Sequence, residues 1–398
     1  DIAQQQNHIL LTSYGFAVAK ALQDGRSTPF EFRSLQLRDG QAGDQGALSI
    51  FRRGQGNRHQ ALVIKNTSQG MGHGHFDKLH WLYFDNGNEI VSDYGAARFL
   101  NIEAKYGGHY LPENNAWAKQ TVAHNTVVVD ERSHFDGDWR LGQMHAPNVH
   151  FFAVQDGVQI TSAEIQSAYE STTLSRMMAM IEVEGLAYPL ILDVFKVDSP
   201  QPRQYDLPLH YQGHLISHTL NLLDSIQRLS PLGTQNGYQY LWDRARGDMQ
   251  APLAQFTWLN DGRFYTYSTV GGADQQMIFA QLGANDPNFN LREQHALIHR
   301  VNSAQGHVFA SVLETHGEYN GRLEFTVGAK SSVTSLLIHE VESYTVFEVD
   351  LTHGRQLTVI FTELGDQQTQ HELDHAGRSL QWQGYYTVLQ SQLNQSEE

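Results

Sequence analysis

The most informative absence in this 398-residue sequence is cysteine. Without cysteine the chain has no disulfide framework, no thiolate zinc site and no cysteine nucleophile. Any bound metal must therefore be held by nitrogen and oxygen ligands. The 21 histidines are an unusual number and supply many such nitrogens.

Basic residues and long apolar runs are also scarce. Lys and Arg total 27 against 43 Asp and Glu, which gives a formal net charge of −16. This charge disfavours nucleic acid or an anionic membrane surface as a partner, although local cations in a cleft could still bind an acidic substrate. No run approaches the roughly 18 apolar residues of a membrane span. We therefore expect a soluble globular protein with no membrane partner.

One helical pattern precedes a long series of strand patterns. Apolar residues at helical spacing predict a helix over 5–22, ending near Asp24 and Gly25. From about residue 47 the chain changes to short runs of alternating apolar and polar residues, bounded by Gly, Asn and Asp. This pattern continues to the C-terminus. The Asn86-Gly87 pair between two such runs predicts a tight hairpin turn.

These patterns predict a mainly β fold. We expect a large antiparallel β-sandwich, a short N-terminal helical segment and a smaller C-terminal β-sheet region. A parallel α/β fold would need helices between the strands, and none is visible. The proline-bearing segment 198–208 and the loop 283–291 are possible boundaries within the β-rich part.

The stretch GMGHGHFDKLHW, residues 70–81, contains His73 and His75. Side chains two apart on an extended segment project to the same side, so both histidines can serve one site. Asp93 and His124 follow beside later strand patterns. His75, Asp93 and His124 are suitable zinc donors, but spacing alone leaves open buried structural histidines or ordinary hairpin residues.

Four segments carry a more specific signal: GHGHFDKL, DYGAARF, KYGGHYLPEN and AHNTVVVDE occur in this order within residues 70–131. In these segments the chain resembles the oligoalginate lyases of polysaccharide lyase family 17, within the broader heparinase II/III-like group. The resemblance implies an N-terminal α/α toroid followed by a β-sandwich, with the active cleft between them. Most of the toroid is missing from this sequence, so the toroid half is an expected partner.

The resemblance also suggests how the chain is divided. We expect the end of the toroid and a linker over 1–43, the heparinase II/III-like sandwich with its zinc site over 44–290, and a C-terminal β-sheet region over 291–398. Relatives of this kind commonly dimerise, so a homodimer is possible. A periplasmic or secreted bacterial location fits the resemblance.

The resemblance assigns roles to individual residues. Tyr110 matches the catalytic tyrosine of the sandwich half, and His73 matches an active-site histidine that holds or neutralises the substrate carboxylate. Arg98 resembles an arginine that pairs with that carboxylate, and Asn125 is a candidate sugar contact. Simpler roles are also open for these residues. Tyr110 could be an aromatic at the cleft rim that stacks on sugar rings, Arg98 could form a surface ion pair, and Asn125 could be a hydrated loop residue.

The metal and the reaction follow from the same resemblance. His75, Asp93 and His124 are expected to hold a structural zinc ion. The expected activity is exolytic β-elimination of alginate oligomers to unsaturated uronate monosaccharides. Two other readings remain open: a heparinase-like glycosaminoglycan lyase, which the scarcity of Lys and Arg disfavours, and a non-catalytic, zinc-stabilised module that binds acidic sugar.

Overall fold

The structure, a computed structural model, describes residues 13–26, 31–97, 111–222 and 229–392. The chain divides into two units, residues 1–33 and 34–398. In the first unit, helix α1 spans Ser13–Gln23 and ends as predicted at Asp24 and Gly25, where Gly25 has a φ of +64°. The predicted helix start, before residue 13, lies outside the described residues.

The second unit is built from strands and a few short helical turns. The six-residue helix α2 spans Trp139–Met144. The strands are β1 Leu35–Arg38, β2 Gly46–Arg53, β3 Gln60–Thr67, β4 His80–Asp85, β5 Asn88–Val91, β6 Val128–Val129, β7 Asn148–Gln155, β8 Val158–Tyr169, β9 Thr172–Ile181, β10 Leu190–Tyr211, β11 His214–His218, β12 Leu241–Asp248, β13 Leu253–Asn260, β14 Arg263–Val270, β15 Gln275–Leu282, β16 His295–His316, β17 Glu318–Asn320, β18 Phe325–Val327, β19 Val333–Val341, β20 Tyr344–Leu351, β21 Arg355–Phe361, β22 Gln370–His375, β23 Arg378–Gln383 and β24 Tyr386–Gln392.

Sixteen of the described strands form one hydrogen-bonded antiparallel sheet that is folded into two layers. We call one the front layer: it contains β1 to β6, the second half of β10, the first half of β16, β15 and β12. The other is the middle layer, which contains β7, β8, β9, the first half of β10, the second half of β16, β14, β13 and β11. The two 22-residue strands β10 and β16 run through both layers.

The two layers pack face to face over a large apolar core. Trp81 and Tyr83 of the front layer meet Phe256 and Trp258 of the middle layer. The middle layer is buried on both faces, since Met178 and Met180 face the front layer whereas the residues between and beside them, Met177, Ala179 and Ile181, face the other way. This double burial explains the unbroken apolar run 177–181, because a strand covered on both sides needs no polar face.

A four-stranded C-terminal sheet of β19, β20, β21 and β24 covers the second face of the middle layer. The hairpin of β22 and β23 then packs on the outside of this sheet. The fold class is therefore confirmed as mainly β, with stacked antiparallel sheets and a smaller sheet near the C-terminus. The assignment of α1 to a toroid stays a prediction.

Sheet membership differs from the expected boundaries at two places. Segment 198–208 lies inside β10, where the register shifts between Asp198 and Arg203. The loop before residue 291 leads into β16, which belongs to both layers of the main sheet. The C-terminal sheet begins only at Val333. How many separate domains these sheets represent stays a prediction.

Candidate metal centre and active site

Three side chains with metal-binding atoms meet on the outer face of the front layer. His75 follows the helical turn Met71–His73, Asp93 follows β5, and His124 follows the turn Thr121–Ala123. Their donor atoms all lie within 4.8 Å of one another. His124 Nδ1 is 3.2 Å from Asp93 Oδ1, and the ring centroids of His75 and His124 are 5.1 Å apart. The structure thus brings together the three predicted metal ligands.

A glycine determines how the chain enters this site. A Cβ atom added at Gly74 would lie 1.3 Å from the carbonyl oxygen of Gln69, so only glycine permits this close backbone approach. Lys119 Nζ donates a hydrogen bond to the Gly72 carbonyl at 2.8 Å and helps to hold the turn. His73 lies on this turn and is exposed, which suits a residue expected to contact substrate.

A further histidine, His80, lies beside the carboxylate of the site. Alternation along β4 places it on the opposite face from the core residue Trp81. His80 Nδ1 accepts a hydrogen bond from the Asn125 backbone N–H at 2.9 Å, so the neutral ring carries its proton on Nε2. That nitrogen is 4.0 Å from Asp93 Oδ2. This distance is too long for a hydrogen bond, and Nε2 has no hydrogen-bond partner among the described residues. A protonated nitrogen cannot coordinate a cation, so His80 is not itself a ligand, and its N–H acts on the Asp93 carboxylate through its charge distribution alone.

Sequence reasoning missed His80, although a signal for it exists. It opens the strand that follows the glycine-histidine motif, and strand alternation separates its side chain from the neighbouring core tryptophan. Its ring centroid lies 5.2 Å from that of His124. Its role depends on the tautomer, which only the contact with the Asn125 backbone defines.

Burial is the main influence on the charges of the site. It lowers the pKa of His75 to about 4 and that of His80 to about 3. Burial alone would raise the pKa of Asp93, but His124 and then His80 lower it well below its ordinary value. Burial likewise opposes charge on His124, yet the nearby Asp93 raises its pKa. An ionised carboxylate beside imidazoles is a suitable set of donors for a cation, which would take the place of the proton that Asp93 favours on His124.

The surroundings of His124 test whether a cation fits. Both of its ring nitrogens are buried without a hydrogen-bond partner, and the 3.2 Å approach of Nδ1 to Asp93 is not aligned as a hydrogen bond. Buried polar atoms are nearly always satisfied in proteins. Two ligands of a tetrahedral zinc ion are about 3.3 Å apart, close to the observed separation. The three donors therefore fit a metal ion.

Asn125 has a different position from the one expected. Its side chain is buried, and Nδ2 donates to the carbonyl oxygens of Trp81 and Ser92, both at 3.0 Å. Its Oδ1 accepts from the backbone N–H of His210 at 2.7 Å. Both amide hydrogens are used inside the protein, so no donor remains for a sugar. The expected substrate contact is corrected to a structural role, in which Asn125 joins β4 to β10.

Arg176 of β9 supports the site from the middle layer. Its Nη1 donates to the carbonyl oxygens of Leu79 at 2.7 Å and Asn125 at 2.6 Å. Its Nε and Nη2 pair with the two oxygens of Asp193 at 2.7 and 2.5 Å. Both side chains of this ion pair are almost fully buried. Through its hydrogen bonds to the two carbonyls, Arg176 fixes the backbone next to the metal site.

Two predicted residues, Arg98 and Tyr110, lie outside the described residues. The two flanking positions lie close together, since the Leu111 N–H donates to the Ala97 carbonyl at 3.2 Å and both side chains are buried in one cluster. The assigned roles of Arg98 and Tyr110 stay predictions.

Comparison with known proteins places the chain in a family. Residues 35–330 match the family described as heparinase II/III-like, C-terminal. The chain belongs to this family. The matched region of this heparinase II/III-like chain covers the two-layered sandwich and includes His75, Asp93 and His124.

Curated relatives match almost the whole heparinase II/III-like chain. An exo-oligoalginate lyase from Saccharophagus degradans is 46% identical over 392 residues, which are 98% of this chain and 53% of that protein. An alginate lyase from Stenotrophomonas maltophilia is 44% identical over 388 residues, which are 98% and 52%. The chain spans about half the length of these curated relatives.

Solved structures share the heparinase II/III-like fold. A heparinase III structure is 13% identical with a TM-score of 0.57, over 98% of this chain and 48% of that one. The heparan sulfate lyase HepC from Pedobacter heparinus is 12% identical with a TM-score of 0.54, over 100% and 49%. At these identities the likeness concerns the fold alone. Among the described residues of the present chain, no helix has the length and apolar character needed to cross a membrane.

Proposed function

We propose that this chain is the β-rich half of an exolytic oligoalginate lyase of polysaccharide lyase family 17. The observation that carries the proposal is the identity of 46% and 44%, over 98% of the chain, to relatives named exo-oligoalginate lyase and alginate lyase. The enzyme would bind acidic oligosaccharides and cleave them by β-elimination, releasing unsaturated uronate monosaccharides.

The chemistry explains why the predicted residue types are needed. β-Elimination removes the C5 proton of a uronate and expels the C4 oxygen. The C5 proton is a poor acid, because its removal next to an ionised carboxylate converts that carboxylate into an enediolate with two negative charges. The carboxylate must therefore first be neutralised. Arg98 and His73 would hold that carboxylate, and a guanidinium matches its two oxygens. Tyr110 would act as acid or base within about 3 Å of the reacting atoms.

Zinc would be held by His75, Asp93 and His124, whose nitrogen and oxygen donors are ones that zinc commonly uses. When bound, the ion would contribute positive charge and a fixed link between three chain segments. Since His73 and His75 share one short turn, fixing His75 would also fix His73 in front of the substrate. His80 would help to keep Asp93 ionised for binding, because it lowers the pKa of that carboxyl.

The whole enzyme would include an N-terminal α/α toroid half, because the curated relatives are about twice as long as this chain. The cleft would lie between the two halves. A homodimer and a periplasmic or secreted location are further parts of the proposal, supported by the resemblance of the chain to bacterial lyases.

The test measures ultraviolet absorbance of the conjugated product after alginate oligomers are mixed with this chain and the N-terminal half that its relatives carry. We expect absorbance to rise, and Tyr110→Phe to lower kcat by about 100-fold or more, as for loss of a general acid or base. Tyr319→Phe is the matched control, since Tyr319 is exposed on β17, and it should leave the rate unchanged.

Two outcomes would contradict the proposal. One is no absorbance rise with alginate oligomers although the assembled protein is folded. The other is a rise with heparin or heparan sulfate but not with alginate, which would favour a glycosaminoglycan lyase. Sugar binding without turnover by the assembled protein would indicate a non-catalytic module.

A further inference from the structure

A second group of metal-donor side chains lies apart from the residues discussed above. His150 on β7, Glu164 on β8 and Glu363 after β21 each offer one donor atom, and these atoms lie within 4.8 Å of one another. We propose that they bind a divalent transition cation, with Zn²⁺ as the test ion, and that this cation ties the middle layer to the C-terminal sheet. The proposal does not depend on the lyase activity.

A β-bulge places His150 in this group. Val149 pairs with Ala163 and Phe151 pairs with Ser162, so His150 is the extra residue between two paired positions. A bulge changes the direction of a side chain relative to the regular alternation of a strand. Here it lets the imidazole lie on the same side as the Glu164 carboxylate.

Neighbouring donors orient both carboxylates. Ser162 Oγ donates to Glu363 Oε1 at 2.6 Å, and Gln166 Nε2 donates to Glu164 Oε1 at 2.7 Å. In each glutamate the hydrogen bond occupies one oxygen and leaves the other free. Metal-binding carboxylates are commonly held in this way by a second set of hydrogen bonds.

The imidazole of His150 lacks the partner that burial would demand. Its Nε2 is buried without a hydrogen bond. It lies 4.0 Å from Glu363 Oε2, which is too long for a hydrogen bond and wider than the roughly 3.3 Å between two ligands of a tetrahedral zinc ion, so a bound cation would draw the two side chains slightly together. A cation between these atoms would satisfy both.

Charge in the group also favours a cation. Glu164 and Glu363 bring two carboxylates together, and within the described part of the chain neither forms an ion pair with a lysine or arginine. The side chains of His150 and Glu363 are 17% and 21% exposed, so a cation can enter and water can complete its coordination. One imidazole with two carboxylates suits Zn²⁺ and related ions, whereas Mg²⁺ and Ca²⁺ prefer oxygen ligands throughout.

The position of the group defines what the cation would do. His150 and Glu164 belong to the middle layer, and Glu363 follows the last residue of β21 in the C-terminal sheet. A bound cation would therefore join two sheets that already meet through apolar contacts, side-chain hydrogen bonds and the Lys196–Glu340 ion pair.

The test measures zinc per chain after the protein is stripped with a chelator, given a small excess of Zn²⁺ and desalted. We expect His150→Asn and the isosteric Glu164→Gln each to lose about one equivalent, because three ligands are needed for tight binding. His214→Asn, which changes an exposed histidine on β11, is the matched control and should lose none. His124→Asn removes only the zinc of the first site, so its combination with His150→Asn should lose more than either change alone.

A second readout addresses the link between the sheets. Zn²⁺ should slow hydrogen exchange in β20 and β21 of the His124→Asn protein but not of the His124→Asn, His150→Asn protein. The proposal would be overturned if His150→Asn and Glu164→Gln kept as much zinc as the His214→Asn control. Binding that needs millimolar Zn²⁺ would also overturn it. If His150→Asn does not fold, Glu164→Gln decides on the same criteria.

Discussion

At the scale of single residues, His80 accepts a hydrogen bond from the Asn125 backbone through Nδ1, and its Nε2 faces the Asp93 carboxylate at 4.0 Å without a hydrogen bond. We expect His80→Asn to weaken zinc binding about 10- to 100-fold, because the shorter amide can still accept from Asn125 but places no N–H opposite the Asp93 carboxylate. His80→Gln, whose amide extends to the Nε2 position, should retain more of the affinity. Competition against a chromophoric zinc chelator measures both.

A control separates this effect from general damage to the fold. His299 is another fully buried histidine, and its Nε2 contacts Gln275 Oε1 at 2.8 Å. His299→Asn should leave the zinc affinity unchanged. Equal losses in His80→Asn and His80→Gln would show that an N–H opposite Asp93 is not what His80 contributes.

Lys78 provides a prediction about pH. Its buried Nζ donates to the carbonyls of Thr67 and Gly142, both at 3.0 Å, and burial lowers its pKa to about 7 from an ordinary 10.5, although Asp77 opposes the shift. Between these values the unfolded chain binds more protons than the folded one. The free energy of unfolding should therefore rise with pH, by at most about 1.4 kcal/mol per pH unit.

The comparison with Lys78→Met isolates this contribution. Stability of the wild type minus that of the variant, from urea unfolding, should increase between pH 7 and about pH 10 and level off below pH 7, where Lys78 is protonated in both states. A difference that stays constant over this range would contradict the lowered pKa.

The site was predictable from sequence where a motif fixes the residue type. His75, Asp93 and His124 lie together as expected, because their segments border strands that pair or pack closely. Asn125 was not predictable, since its burial depends on three backbone groups that only the folded β4 and β10 bring to it. His150 and Glu363 are more than 200 residues apart, and no local pattern joins them.

At the scale of secondary-structure elements, Arg176 and Asp193 join β9 to β10 and hold the backbone beside the metal donors. We expect Arg176→Met to lower the free energy of unfolding by about 3–5 kcal/mol, because it leaves a buried carboxylate without its partner. Arg176→Met with Asp193→Leu should recover part of this loss. Denaturant unfolding measures both, and equal stability of the single and double variants would contradict the explanation.

The strands show which local patterns suffice for prediction. Asn86 and Gly87 have φ values of +51° and +79° and form the expected turn between β4 and β5. Pro200 and Pro202 suggested a boundary, because proline lacks the N–H that a strand needs. In the structure both lie in the irregular step of β10 between Asp198 and Arg203, where fewer ladder bonds are required. The strand therefore continues past them.

At the scale of the whole molecule, Glu314 of β16 fixes the start of the C-terminal sheet. Its carboxylate is buried and accepts hydrogen bonds from Ser331 Oγ at 2.6 Å and from Ser332 N and Oγ at 2.8 and 2.6 Å. Glu314→Ala should cost about 2–4 kcal/mol by leaving these donors unsatisfied. Hydrogen exchange should accelerate more in β19 and β20 than in β2 and β3.

A control for this prediction is Glu318→Ala, which removes an exposed carboxylate from the adjacent β17. It should change neither stability nor exchange beyond about 0.5 kcal/mol. Uniform acceleration across all strands after Glu314→Ala would mean that the carboxylate stabilises the molecule as a whole and not the attachment of one sheet.

The passage of β10 and β16 through both layers limits how this protein can come apart. The two layers share β10 and β16, so unfolding one layer would also break hydrogen bonds in the other layer. The sandwich should melt in a single step, and a protease that cuts either long strand at its midpoint should collapse both halves together.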